Sequence, residues 1–319
     1  MLSVKARPSE DVLDAVYLKY AESDPFLPVT HFIDHSTMGA EALVQLGLGD
    51  KVMEWVSHHP VRPYRAPRQG LAISAQWRQA LGQRECHGDW IQHFETELGA
   101  RPFGQVLAEW VPRFAHEVGA FLFHGLIRTA HATRALEQKD TLARRGELAR
   151  GLALWAIGVR TPPPEALPEV QPGALGLFES TVDILGYARF GAVAFIDAPN
   201  VPKLHLVTGP MAYLLVADYL DPKTHQLAKA SFAKTHSEAA QQFEALRQKV
   251  LDQPTAPIDH TYLEKLATEK DAHPSKLTEA ALRAHEASKD ELFLKAASKA
   301  LDIHGLRALL AVVKGLIQR

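Results

Sequence analysis

ELARGLALWAIG, residues 147–158, carries its large apolar side chains Leu148, Leu152 and Trp155 at separations of four and three, the spacing of one face of an α-helix. The same period returns in VLDAVYLKY (12–20), ALVQLG (42–47), FGQVLAEWV (103–111), MAYLLVADYL (211–220) and LRALLAVVKGLI (306–317). Alternating β-branched runs, which announce strands, are nearly missing; GAVAFIDA (191–198) and LHLVTG (204–209) come closest, and each is short enough to be read either way. The pattern therefore predicts an all-α fold.

Two proline-rich stretches interrupt it, PVRPYRAPRQG (60–70) and PPPEALPEVQPG (162–173), because repeated prolines remove backbone donors and forbid a continuous helix. Candidate site residues fall on both sides of the second stretch. The expectation is thus one multi-helix domain over residues 1–319, enclosing a central cavity where those residues meet, with a loop near 161–173 rather than a domain boundary there.

Composition narrows the function classes. Of the 319 residues 46% are hydrophobic, enough for a sizeable core, and 35 Lys+Arg against 37 Asp+Glu leave a formal charge of -2, without the basic field of a nucleic-acid binder. A small-molecule partner is expected. Cys86 is the single cysteine, so neither an intramolecular disulfide nor a cysteine-rich zinc site can form within one chain, which fits reducing cytoplasm. Charges interrupt the apolar runs of MLSVKARPSEDVLDAVYLKY, so neither export nor membrane insertion is expected. There is no GxGxxG turn, no phosphate loop, no HExxH, no GxSxG and no CxxC. What stands in excess is histidine, with 16 in the chain, roughly twice ordinary usage.

His31 and His35 are four apart and share a face if THFIDHSTMGAEAL (30–43) is helical; that spacing suits two ligands of one metal and equally a polar patch at a helix start. Residues 114–136 read as one helix on which His124 and His131 share a face and His116 lies near it, with His124 among apolar neighbours. His205 precedes an apolar helix, where it would be a cap or a ligand. His273 and Lys276 are three apart at a helix start that Asp271 can cap and Pro274 tolerates. Taken alone, Lys276 reads as a surface charge. Trp55, Trp90, Phe94, Trp110, Phe123 and Phe178 are either pocket walls or plain core.

Four blocks give the chain a resemblance to the questin oxidase-like family: DHSTMGAEALVQLG (34–47), DWIQHFETELG (89–99) with FLFHGLIRTAHATRAL (121–136), LHLVTGPMAYLL (204–215) and HPSKLTEAALRAH (273–285). The last is the most specific, and together they span most of the sequence. A relative in this family that cleaves an anthraquinone ring is similar in holding non-haem iron with four histidines and a carboxylated lysine. The resemblance implies that His35, His124, His205, His273 and carboxylated Lys276 are metal ligands. It implies Fe(II) above Zn, Mn or Ni, and a catalytic role for Lys276 and for His131, at the cavity or its rim, where relatives commonly show tyrosine. Asp34 stands where the family usually has an amide.

Imidazole and oxygen ligation suits divalent iron, and five protein ligands leave an octahedral position for dioxygen. The resemblance thus implies an oxygenase acting on an aromatic or quinonoid small molecule, by Baeyer-Villiger-type insertion or carbon-carbon cleavage. Any NADPH would act without a dinucleotide domain, since the fingerprint is missing. A metal-dependent hydrolase and a non-catalytic helical small-molecule-binding protein are the alternatives.

Overall fold

The computed structural model describes residues 10–27, 32–165 and 183–303. Among these residues there are fourteen α-helices and no strand, only two isolated antiparallel bridges, Ser23 with Pro63 and Phe26 with Ile33. The helices are α1 Glu10–Lys19, α2 Ser36–Gln45, α3 Val52–Ser57, α4 Ile73–Ala80, α5 His87–Ala100, α6 Phe103–Trp110 and α7 His124–Gln138. They continue with α8 Leu142–Ala156, α9 Ile184–Asp197, α10 Val201–Tyr213, α11 Pro222–Leu251, α12 His260–Thr268, α13 His273–Ser288 and α14 Glu291–Ser298. The all-α expectation holds. Residues 306–317, Phe178 and most of the second proline stretch lie outside the described residues.

Local chemistry accounts for six of the fourteen helix starts. Thr141, Asp183, Asn200, Asp221, Asp259 and Asp290 each cap a helix by accepting from a backbone N–H of its first turn, so donors that the helix leaves unpaired are satisfied. Pro202 and Pro222 stand in the first turns of α10 and α11, where a missing N–H does no harm.

Both ambiguous stretches are helical, 191–198 in α9 and 204–209 in α10. Their strand-like density of apolar residues has a packing cause. Helix α9 lies against α10, α11 and α14, and α10 against α7, α9 and α13, so more than one face of each is buried. His205 consequently stands inside α10 rather than ahead of it.

Residues 114–136 are not one helix. The helix holding His131 begins at His124, and Phe121, Leu122 and Phe123 before it have φ of 48°, 56° and 67°. Three consecutive left-handed residues without a glycine cost about 1–3 kcal/mol each and persist only where surroundings enforce them. Here the Phe121 ring packs edge-on to Phe26 at 5.8 Å, and the Phe123 ring stacks on Phe232 at 5.9 Å. His116 falls before this turn and its Nε2 meets the Thr161 carbonyl at 2.8 Å, so it is not on the helix of His124.

Helices from both sides of the second proline stretch pack together. Helix α2 lies against α7 and α13, and α10 against those same two, which closes a ring of four helices. Close approach within the ring uses glycine: a Cβ on Gly39 of α2 would come within 2.7 Å of the Ala272 Cβ, the residue ahead of α13.

Candidate metal centre

Each helix of that ring contributes one histidine from its N-terminal end. His35 is the residue before α2, His124 and His273 open α7 and α13, and His205 is the fifth residue of α10. One ring nitrogen from each lies within 4.8 Å of the other three, so His35, His124, His205 and His273 form a group able to hold a metal ion. Two nitrogens bound at the 2.0–2.1 Å typical of imidazole ligation stand at most about 4.2 Å apart, so shifts of about half an ångström close the set on one ion. His124, His205 and His273 are buried and His35 half-buried. Sequences nearly 240 residues apart thus meet at one point.

On three of the four rings the outward-facing nitrogen is already engaged. His124 Nδ1–H donates to the Phe121 carbonyl, His205 Nδ1–H donates to the Val201 carbonyl at 2.8 Å, and His273 Nδ1–H donates to Asp271 Oδ1 at 2.6 Å. Each such bond fixes the tautomer that leaves a lone pair on Nε2. Those Nε2 atoms turn inward: His35 and His124 have theirs 2.5 Å apart, and those of His205 and His273 are buried without any hydrogen-bond partner. Buried polar atoms are rarely left so. The unpaired acceptors are the arrangement that a bound cation satisfies.

Lys276, one turn beyond His273, is also buried, and its Nζ has no hydrogen-bond partner. Burial pushes its pKa down to about 7, with only Asp271 opposing. Burial likewise lowers all four histidines, and a charge on Lys276 lowers each further. Near neutral pH the four imidazoles are therefore uncharged, and the amine is neutral in a large share of molecules. The reading of Lys276 as a surface charge is wrong, since the residue is only 1% exposed.

Asp271, anticipated as a cap, has two tasks. Its Oδ1 accepts from the His273 backbone N–H at 3.0 Å and from the same residue's ring. Asp34 accepts from the Ser36 backbone N–H at 2.8 Å and pairs with Arg62. His131 is not one of the grouped imidazoles, since its Nδ1 lies 2.7 Å from Glu41 Oε2. His31 lies outside the described residues; residues 32–35 precede α2, so His35 is presented by the chain ahead of a helix and not by a helical face.

Of the expected pocket walls, Trp90, Phe94 and Trp110 pack on one another at ring separations of 5.3 to 5.6 Å as solid core, and Trp55 packs on His59. The cleft lined by Tyr17, Leu98 and Leu142, about 270 Å³, and that lined by Trp77, Pro112 and Asp221, about 440 Å³, include none of the four histidines. No described helix is both long and apolar enough to cross a membrane. No known protein-family model matches the sequence, and no curated protein matches it.

Proposed function

We propose that this chain is a metal-dependent oxygenase in which His35, His124, His205, His273 and a carboxylated Lys276 hold a divalent ion, iron foremost, and that its substrate is an electron-rich aromatic or quinonoid molecule. The observation that carries the metal reading is the convergence of four imidazoles beside a buried, unpartnered amine. The residues fit the ion because no lone pair must first be stripped of a competing hydrogen bond at His205 or His273. Iron bound there supplies the redox chemistry that dioxygen needs.

The chain's own contribution is protonation and placement. Phe121, Val201 and Asp271 keep the Nδ1 protons of three rings in place. Burial keeps the Lys276 amine neutral for a large share of molecules at neutral pH, and only a neutral amine adds to carbon dioxide. That addition forms an N–C bond and releases one proton, turning a group that repels cations into an anionic oxygen donor. Imidazole and oxygen donors together suit divalent iron, with zinc, manganese or nickel as substitutes. Burial of the group keeps bulk water from the reacting atoms. The choice of oxygenase over hydrolase rests on the resemblance to questin oxidase-like proteins and on the donor set. Among the described residues the group holds imidazoles alone, and Asp271 is committed to His273.

The test is purification under iron-replete, anaerobic conditions, metal analysis, and oxygen uptake across a panel of hydroxylated aromatics and quinones. Near-stoichiometric iron with substrate-dependent oxygen consumption is expected. Turnover unchanged without oxygen moves the assignment to hydrolysis; protein that takes up no metal moves it to a binding role.

A further inference from the structure

The four helices that carry the histidines meet a second time, deeper in the bundle. Six residues beyond His35, Glu41 is fully buried on α2. Ten residues beyond His124, Arg134 on α7 grips that carboxylate with both arms, Nε to Oε1 at 2.8 Å and Nη2 to Oε2 at 2.6 Å. Its remaining arm, Nη1, donates to Glu279 Oε1 of α13 at 2.5 Å, three residues beyond Lys276. Arg283, one turn further along α13, donates from Nε to the same oxygen at 3.0 Å and from Nη1 to the Met211 carbonyl of α10 at 2.9 Å. Six residues separate Met211 from His205. His131 and Gln45 complete the surroundings of Glu41, at 2.7 and 2.8 Å.

Every helix that supplies an imidazole is therefore tied into one network: Glu41 comes from α2, Arg134 from α7, Glu279 and the half-buried Arg283 from α13, and α10 joins through the Met211 carbonyl. That correspondence is not what stability by itself requires. A balanced buried ion network contributes little net stability compared with apolar side chains of similar volume. What it supplies is register: a guanidinium fork accepts only a narrow range of carboxylate positions. Sliding α2 along α7 by one ångström would break the Glu41 bonds to Arg134, sliding α13 would break the Glu279 bond, and the same slide would move His35 or His273 by a comparable distance.

We infer that Glu41, Arg134, Glu279 and Arg283 are positioning residues of the metal centre, fixing the axial register of α2, α7, α10 and α13 so that the four Nε2 atoms converge. This rests on the metal reading above, and on no particular substrate. It also gives His131 its place: it braces Glu41 and is not itself a ligand.

The test separates register from stability. The double substitution Glu41→Leu with Arg134→Met removes a balanced pair, so the metal-free protein keeps its helical circular dichroism and melts close to the parent. Cobalt(II) is the probe, because its visible bands report ligand geometry and its titration gives an affinity. We expect the double variant to bind cobalt about 10–100-fold more weakly and with altered bands, the loss typical when groups that orient metal ligands are removed. Parental affinity and parental bands in the folded double variant overturn the inference. Should that variant not fold, Arg134→Lys keeps the charge and cannot bridge both carboxylates; altered bands support the network's role, and unchanged bands overturn it. A parent protein that takes up no cobalt overturns the metal reading itself, an outcome visible before any variant is made.

Discussion

Replacing Lys276 by methionine should stabilise the metal-free protein while destroying its centre. The amine is fully buried, has no hydrogen-bond partner, and its pKa falls from 10.5 to about 7 through burial, with Asp271 opposing. The sign follows from linkage. As pH falls from 10.5 towards 7 the unfolded chain takes up a proton on this lysine that the folded chain does not, so the folded state is progressively disfavoured. At 1.36 kcal/mol per pH unit the loss reaches roughly 5 kcal/mol below pH 7, falls to about 2 kcal/mol at pH 9, and vanishes above about pH 10.5. Methionine keeps an unbranched chain of similar reach and removes the amine. Lys276→Met should therefore exceed the parent in stability by up to roughly 5 kcal/mol at pH 6, with the gap closing as pH rises. The assay is urea unfolding of both proteins at pH 6, 7.5, 9 and 10.5, in chelator and carbon dioxide-free buffer so that no carbamate or metal enters. A variant less stable than the parent throughout, or a gap independent of pH, would refute the reasoning. The same variant should lose most of its metal uptake, placing function and stability in opposition at one residue.

Acid should unfold the metal-free protein early. Burial lowers the pKa of His35, His124, His205 and His273, and takes His87 to about 3 and His236 to about 4. The unfolded chain therefore gains their protons first as pH drops below 6.5, and stability should fall by about 1.4 kcal/mol per pH unit for each such group; a urea midpoint flat from pH 7 to 5 would contradict this. Asp271→Asn removes the carboxylate that holds His273 Nδ1–H, so competition with a chromophoric chelator should show metal affinity about 10–100-fold weaker at nearly unchanged melting temperature. Gly125→Ala would bring a Cβ within 2.4 Å of the Trp155 Cα, which is backbone and cannot yield cheaply. Calorimetry should show a loss of about 1–3 kcal/mol or more, and a neutral result would mean that α7 and α8 are looser than they stand here.

Much of this molecule is local, and what is local can be read from the chain alone. Apolar spacing in ELARGLALWAIG and its counterparts specifies helix because side chains three and four apart share a face whatever packs on them. Asp221 before Pro222 and Asn200 before Pro202 mark helix starts, since a cap satisfies donors within its own turn. The fold class follows, and so do the four histidines and Lys276 as residues of interest, through the resemblance of their blocks. The left-handed run at Phe121 to Phe123 carries no such mark. No glycine or asparagine announces it, and neighbours distant in sequence, Phe26 and Phe232, hold it in place.

Tertiary structure alone decided the chemistry. Lys276 is a surface charge by composition and a readily deprotonated base by burial, because desolvation depends on what closes over the amine and not on its neighbours in the chain. His131 shares a helical face with His124, yet it faces Glu41, which arrives on another helix. The pairing of Glu41, Arg134, Glu279 and Arg283 joins residues up to 242 positions apart, and nothing in the period of any one helix selects those partners. Periodicity says which face of a helix is inward; only the packing of four helices says what that face meets.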